Sequence, residues 1–290
     1  MGSLLKRLRE KTRIRPLPET IGKLARWYST PLGQDILRSQ KRILADQLSY
    51  LFGYHLMQLS VVPDQKLYFS SRINHCFSLS PAELESTRSQ AGNKSESRCV
   101  QALAEYEALP FEDEVIDLAL LHHVLEFSDN PQHVLKEAAR VTIPNGYIVL
   151  VGFNPFSLIG LIKPFAQFFD SSVIWHRNNL RVGRIKDWLE FLDFTCQEVR
   201  YTTFNLPINN KKYLTHSRFI RRLFIGRGLP FGGTYCLVAR KDKVGLTPIK
   251  PKWDPKRFMD VVPIPKSSAP VRRSATILPL RRKNYFKKGI

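Results

Sequence analysis

Apolar positions along the chain fall into a few blocks, separated by polar or Pro- and Gly-rich stretches. Within residues 24–51, Ile36, Leu37, Ile43, Leu44, Leu48 and Leu51 carry the recurring three- and four-residue spacing of an amphipathic helix. Pro31 suits the first turn of that helix and Gly53 a position just past its end. The run from Tyr54 to Val62 is short, apolar and bounded by Gly53 and Pro63, which predicts a buried strand. Cys76 to Leu79, closed by Ser80-Pro81, predicts a second. Residues 86–98 are polar with no apolar period, and they read as a surface loop or a locally disordered insert.

The most informative block follows. Val115 to Leu121 is a near-continuous apolar strand. Asn130-Pro131 opens a helix whose Val134, Leu135, Ala138 and Val141 share a face, and Pro144-Asn145-Gly146 stops it. Tyr147 to Val151 is then another buried strand, so the block has the form of a crossover unit in a parallel sheet. Residues 155–169 are apolar, Phe-rich and broken by Pro164. A lid, a membrane-surface contact and ordinary core packing all remain open for them. Residues 184–193 predict a helix with Ile185, Trp188, Leu189 and Leu192 on one face. Strands follow at about 195–203 and from Thr234 to Arg240.

Charge changes the picture at the two ends. The chain holds 45 Lys and Arg against 25 Asp and Glu, a net charge of +20. About +11 of this lies in residues 241–290 and about +6 in residues 1–26, so the middle is nearly neutral. From 241 onward, seven prolines and many basic residues without any period describe an extended chain. Residues 211–228 interleave Lys and Arg with Tyr and Phe, as nucleic-acid surfaces do and as solvated faces also do. Contact with RNA or another polyanion and a solvated face both stand open for this insert and for the tail, and phosphate contact by the tail would be salt-sensitive and sequence-blind. Cys76, Cys99, Cys196 and Cys236 form no CxxC pair and have no His cluster at zinc spacing, so we expect reduced thiols, no metal and a cytoplasmic location. No apolar run is long enough to span a bilayer, and the N-terminus lacks the features of a secretory signal or a myristoylation site.

At residues 109–154 the stretch LPFEDEVIDLALLHHVLEFSDNPQHVLKEAARVTIPNGYIVLVGFNP resembles the central part of the type 11 group of S-adenosylmethionine-dependent methyltransferases. The likeness lies in LPF with an acidic turn, an apolar strand, HVLE, a helix opened by NP and ending in RV, then P-x-G and a strand. It extends over about residues 50–240. It implies an α/β, Rossmann-like class I methyltransferase fold, with a mostly parallel seven-stranded sheet and an antiparallel last strand. The organisation expected is a basic lead at 1–23, a methyltransferase-like domain at 24–240 with inserts at about 153–181 and 204–232, and a basic, Pro-rich disordered tail at 241–290.

The resemblance also implies S-adenosyl-L-methionine as cofactor and a methyltransferase of unknown substrate. Its amino-acid part would face Gln58, Leu59 and Ser60, its ribose Ser78 and Ser80, its adenine Glu105 and Tyr106, and its methyl group Leu121 with His122 and His123. The histidine pair is the candidate general base, and a capping or packing role is its alternative. Adjacent strand residues point to opposite faces, which argues against the pair as a metal site. Glu126 reads as a hydrogen-bonded carboxylate, and Asn154 as a substrate-side or turn residue. Two departures bear on the cofactor. The turn Leu59–Asp64 holds no glycine, so side chains compete for the cofactor's space and its hold is weakened. No carboxylate follows the second strand, leaving Ser78 or Ser80 as weaker ribose acceptors. A second reading therefore stands beside the enzyme: a degenerate methyltransferase-fold binding module, an adaptor for nucleic acid or protein without catalysis.

Overall fold

The computed structural model describes residues 16–82, 100–157, 160–163, 172–202 and 232–242. The polar stretch 86–98, the basic aromatic insert at 211–228, most of the Phe-rich segment after residue 157 and the tail beyond 242 lie outside the described residues. The chain divides into two units at Gly245, and all of the described residues belong to the first.

Where the sequence pattern predicts one helix, the structure has two. Helix α1 spans Leu17–Tyr28 and α2 spans Pro31–Leu48. The boundary expected at residue 24 thus falls inside α1, whose Leu17, Ile21, Leu24 and Tyr28 are buried. The break has a local cause. Pro31 biases Thr30 away from helical geometry, and Thr30 is extended, at φ −68° and ψ 157°. Its hydroxyl accepts from Gly33 N at 3.2 Å and donates to Trp27 O at 2.7 Å, capping α2 on the end of α1. Gly33 makes this corner possible, because a Cβ there would stand 2.5 Å from Trp27 O and 2.7 Å from Tyr28 Cα. Gly33→Ala is expected to destabilise the fold by about 1–3 kcal/mol through overpacking, read as a lower urea midpoint at an unchanged slope.

The sheet has seven strands in the order β3-β2-β1-β4-β5-β7-β6. They are β1 His55–Ser60, β2 His75–Ser80, β3 Val100–Leu103, β4 Ile116–His122, β5 Thr142–Phe153, β6 Phe194–Thr202 and β7 Thr234–Lys241. Strands β3 to β5 are joined in parallel, and β7 runs antiparallel to both of its neighbours. This is the expected class I arrangement. Strand β3 is an element that the apolar pattern did not mark. Central strands such as β4 are near-continuous apolar runs because both faces are covered. Between β4 and β5 lie α3, Val124–Phe127, and α4, Pro131–Val141. Helix α5, Val182–Phe191, precedes β6 and packs on it through Ile185 and Leu189.

Two connections depart from expectation. The helix before β5 ends at Val141, and Pro144-Asn145-Gly146 lies inside β5 as an irregularity, where the register jumps from Ile116↔Thr142 to Leu118↔Tyr147. Asn145 there takes φ 65°, a conformation that asparagine tolerates. The link from β1 to β2, residues 61–74, contains no helix and packs Val61, Val62, Leu67, Tyr68 and Ile73 directly into the core. Helix α2 instead packs against β7 and β6 and reaches the end of β4 through Gln40. Among the described residues, no helix is long and apolar enough to cross a membrane. Of the cysteines, Cys236 is buried on β7, where burial pushes its thiol up to about 12.

Candidate active site

In an open parallel sheet, the ligand crevice lies beyond the carboxyl ends of the strands, where the strand order reverses. That point falls between β1 and β4. Register pairs Ser60 with His122 at the carboxyl ends of these two strands. Five residues form a buried hydrogen-bonded chain from there. Ser60 Oγ meets His122 Nδ1 at 2.9 Å, and His122 Nε2 meets Gln40 Oε1 at 2.9 Å. Gln40 Nε2 meets His123 Nε2 at 2.7 Å, and His123 Nδ1 meets Glu126 Oε2 at 2.6 Å. The other Glu126 oxygen accepts from Phe153 N at 2.7 Å.

The orientation of the Gln40 amide sets the donors. Its carbonyl requires His122 to carry the proton on Nε2, so Ser60 donates to His122 Nδ1. Its NH2 requires His123 to accept at Nε2, so His123 donates from Nδ1 to the Glu126 carboxylate. Both rings are then neutral. Burial lowers both histidine pKa values well below the ordinary range, helped by His123 and Lys41 facing His122, and by Arg177 facing His123. Burial pushes Glu126 the other way, up to about 8, against the attraction of Arg177. Below that pH the proton resides on Glu126, which then donates to His123 Nδ1. Turning the Gln40 amide over keeps every pair a donor facing an acceptor.

The two histidines do not point to opposite faces. His123 has left the strand at φ 58°, and its ring stands 4.6 Å from that of His122, both converging on Gln40. Tyr28 packs over the pair at 5.9 and 6.3 Å between ring centroids. Among the described residues, no group of three or more metal-ligating side chains is assembled. The segment before α5 closes the other side. Arg177 is buried, stacks 4.4 Å from the Phe153 ring and donates to Ile174 O at 2.6 Å. Lys163, also buried, donates to Arg177 O and to Asn179 Oδ1, and burial lowers it to about 8.

The remaining candidates fall into place unevenly. Gln58 is fully buried, with its Oε1 accepting from Leu67 N and its Nε2 donating to Gln65 O and Ser78 Oγ. Ser78 donates onward to Pro63 O, and Ser80 to Ala82 O at 2.6 Å. Leu59 and Leu121 are register partners with no exposure, so their side chains serve the core and do not face a crevice. Glu105 is exposed. Tyr106 is buried, and its hydroxyl lies 2.8 Å from Leu79 O, 3.0 Å from Ser60 O and 3.3 Å from Ser60 N. Asn154 is tied to the approach to β7, donating to Gly232 O and Gly233 O and accepting from Phe156 N, which is a turn role.

Sequence reasoning passed over Gln40, Arg177 and Lys163. Gln40 had a signal: it occupies the apolar stripe of α2, between Ile36 and Leu44, where a polar residue needs a buried partner. Arg177 and Lys163 had none, since neither lies in a periodic element. A cavity of about 810 Å³ lies between α1, α2 and the turn after β1. Its walls include Glu19, Arg26, Tyr28, Arg38, Lys41 and Asp64.

Residues 67–150 match the family described as a methyltransferase domain. The uncharacterized protein YafS of Escherichia coli is 29% identical over 178 residues, covering 61% of this chain and 68% of that one. A malonyl-[acyl-carrier protein] O-methyltransferase of Halorhodospira halophila is 31% identical over 103 residues, which span 36% of this chain and 34% of that enzyme. A solved structure from Thermotoga maritima, described as an S-adenosylmethionine-dependent methyltransferase and possible histamine N-methyltransferase, superposes with a TM-score of 0.55 at 17% identity. That superposition covers 75% of this chain and 93% of that one, and establishes the fold. The strand order and this superposition give the chain the fold of the class I methyltransferases, and residues 67–150 within it are similar to a methyltransferase domain.

Proposed function

We propose that this domain transfers a methyl group from S-adenosylmethionine to an acceptor held at the carboxyl end of the sheet, beside α1 and α2. One observation carries the reading: the 810 Å³ cavity lies against the turn that follows β1, one of the two strands between which the order reverses, and it has the size of a small-molecule site. The cofactor's chemistry is a methyl group on a sulfonium, open to attack by a nucleophile. The residues present fit its two halves differently. Carboxylates at Glu19 and Asp64, with Arg26, Arg38 and Lys41, suit a zwitterionic amino-acid end. The ends of β1 and β2, where the nucleoside would lie, are closed by Tyr106 and by the buried Val61, so the nucleoside half does not fit them as they stand.

The chain's own groups have roles that do not depend on that half. All four ring nitrogens of His122 and His123 are engaged, so in this reading the pair positions Ser60 and α2 and holds a proton on the path to Glu126. The strong positive charge at both ends favours an anionic acceptor or carrier, RNA for instance, and cysteines without CxxC pairs support a cytoplasmic setting. The closure by Tyr106 also favours the second reading, a binding module without catalysis.

Calorimetry and thermal melts of the full chain with S-adenosylmethionine and S-adenosylhomocysteine separate the two. Under the enzyme reading, ligand at 100-fold over its dissociation constant adds about 2.7 kcal/mol, a rise in Tm of about 5–10 °C. Absence of heat and of any shift with both ligands at millimolar concentration would leave the binding module.

A further inference from the structure

Tyr106 follows β3, yet its ring is carried inward over β2 and β1. Its hydroxyl oxygen accepts from Ser60 N and shares its proton between Leu79 O and Ser60 O. Both backbone polar groups of the last β1 residue are thereby turned toward Tyr106, as is the carbonyl of the penultimate β2 residue. In dinucleotide-binding sheets the turn after the first strand is glycine-rich so that ligand can approach backbone, and the second strand supplies a ribose acceptor. Here that place is taken by an aromatic side chain of the protein itself. The neighbouring polar groups are committed in the same inward sense: Gln58 to Leu67 and Gln65, Ser78 to Pro63, and Ser60 Oγ to His122 and Val62 N.

We infer that Tyr106 sets how tightly this domain holds its cofactor: the tyrosine occupies the seat of the nucleoside, and a ligand enters by displacing it. The inference rests on the methyltransferase reading. Displacement breaks the hydroxyl's contacts with Ser60 and Leu79, and it opens the crevice between the β1 and β2 ends without touching the cavity walls at Arg26, Arg38 and Lys41. Tyr106 is therefore an affinity determinant for the nucleoside half alone.

The test compares the full-length protein with Tyr106→Ala and Tyr106→Phe by calorimetry, using S-adenosylhomocysteine, adenosine and methionine as three probes. Tyr106→Ala removes the ring, and Tyr106→Phe keeps the ring and removes only the hydroxyl. Expected is a gain of about tenfold or more for S-adenosylhomocysteine and adenosine with Tyr106→Ala, equivalent to about 1.4 kcal/mol. A smaller gain is expected with Tyr106→Phe, and no change for methionine with either. Should Tyr106→Ala fold poorly, the Tyr106→Phe gain for adenosine still decides the matter. Equal or weaker adenosine binding in the variants, with clear S-adenosylhomocysteine binding by the unmodified protein, overturns the inference and leaves the methyltransferase reading intact. Loss of nucleoside binding in all three proteins overturns both.

Discussion

Gln40→Leu is expected to lower the stability of the domain by about 3 kcal/mol, with individual contributions of about 1–3 kcal/mol for each buried group left without a partner. Gln40 has 1% of its surface exposed and is the link between His122 Nε2 and His123 Nε2. Leucine is one atom shorter and offers neither donor nor acceptor. One histidine loses an acceptor and the other a donor, in a place that burial keeps dry and against rings that resist protonation. Removing all three polar partners together, as Gln40→Leu with both histidines made apolar, is expected to cost less than the sum of the single changes. Urea unfolding measures both. A loss below about 1 kcal/mol for the single substitution would show that the chain of hydrogen bonds contributes little.

The second large effect is a stability maximum near pH 6.5, followed by a fall of about 2 kcal/mol toward pH 8 that Glu126→Gln removes. Glu126 has a folded pKa of about 8, raised from an ordinary 4.5 by burial. Its contribution is fully present below 4.5 and is lost as the pH rises through about 8. His122 and His123 are lowered from 6.5, so theirs is present above 6.5 and is lost as the pH falls. Below 6.5 the two histidines outweigh the one carboxyl, and from 6.5 to about 8 Glu126 dominates, until Lys163, lowered to about 8, begins to oppose it. Glutamine resembles the protonated acid, able to accept from Phe153 N and to donate to His123 Nδ1. Glu126→Gln should therefore fold and should flatten only the alkaline limb. Thermal melts between pH 5 and 8.5 on both proteins decide this, and parallel alkaline limbs would place the titration elsewhere.

Much of the architecture is legible from local pattern. Val115 to Leu121 and Tyr147 to Val151 are apolar runs of the kind that a doubly covered strand carries, and Val134, Leu135, Ala138 and Val141 form the buried stripe of α4. The start of α2 was legible in Pro31, a first-turn residue, whereas α1, with its buried Leu17, Ile21 and Leu24, was not marked as a separate helix. Strand β3 was not legible, because four residues beside a polar stretch carry too little period to stand out.

The candidate site divides in the same way. Residue type and position on β1 and β4 brought Ser60, His122 and His123 together, since register follows from two buried strands lying side by side. Glu126 was expected to be a hydrogen-bonded carboxylate and is one. Beyond that reach, the sequence by itself determined the class of the sheet and the absence of glycine after β1. Tertiary structure alone decided that Gln40, more than eighty positions before the histidines, completes their hydrogen bonds, that Arg177 returns to Glu126, and that Tyr106 turns inward over Ser60. The reason is physical. Period and propensity act over a few residues along the chain, whereas the pairing of a buried polar group depends on which distant segment the packed core carries to it.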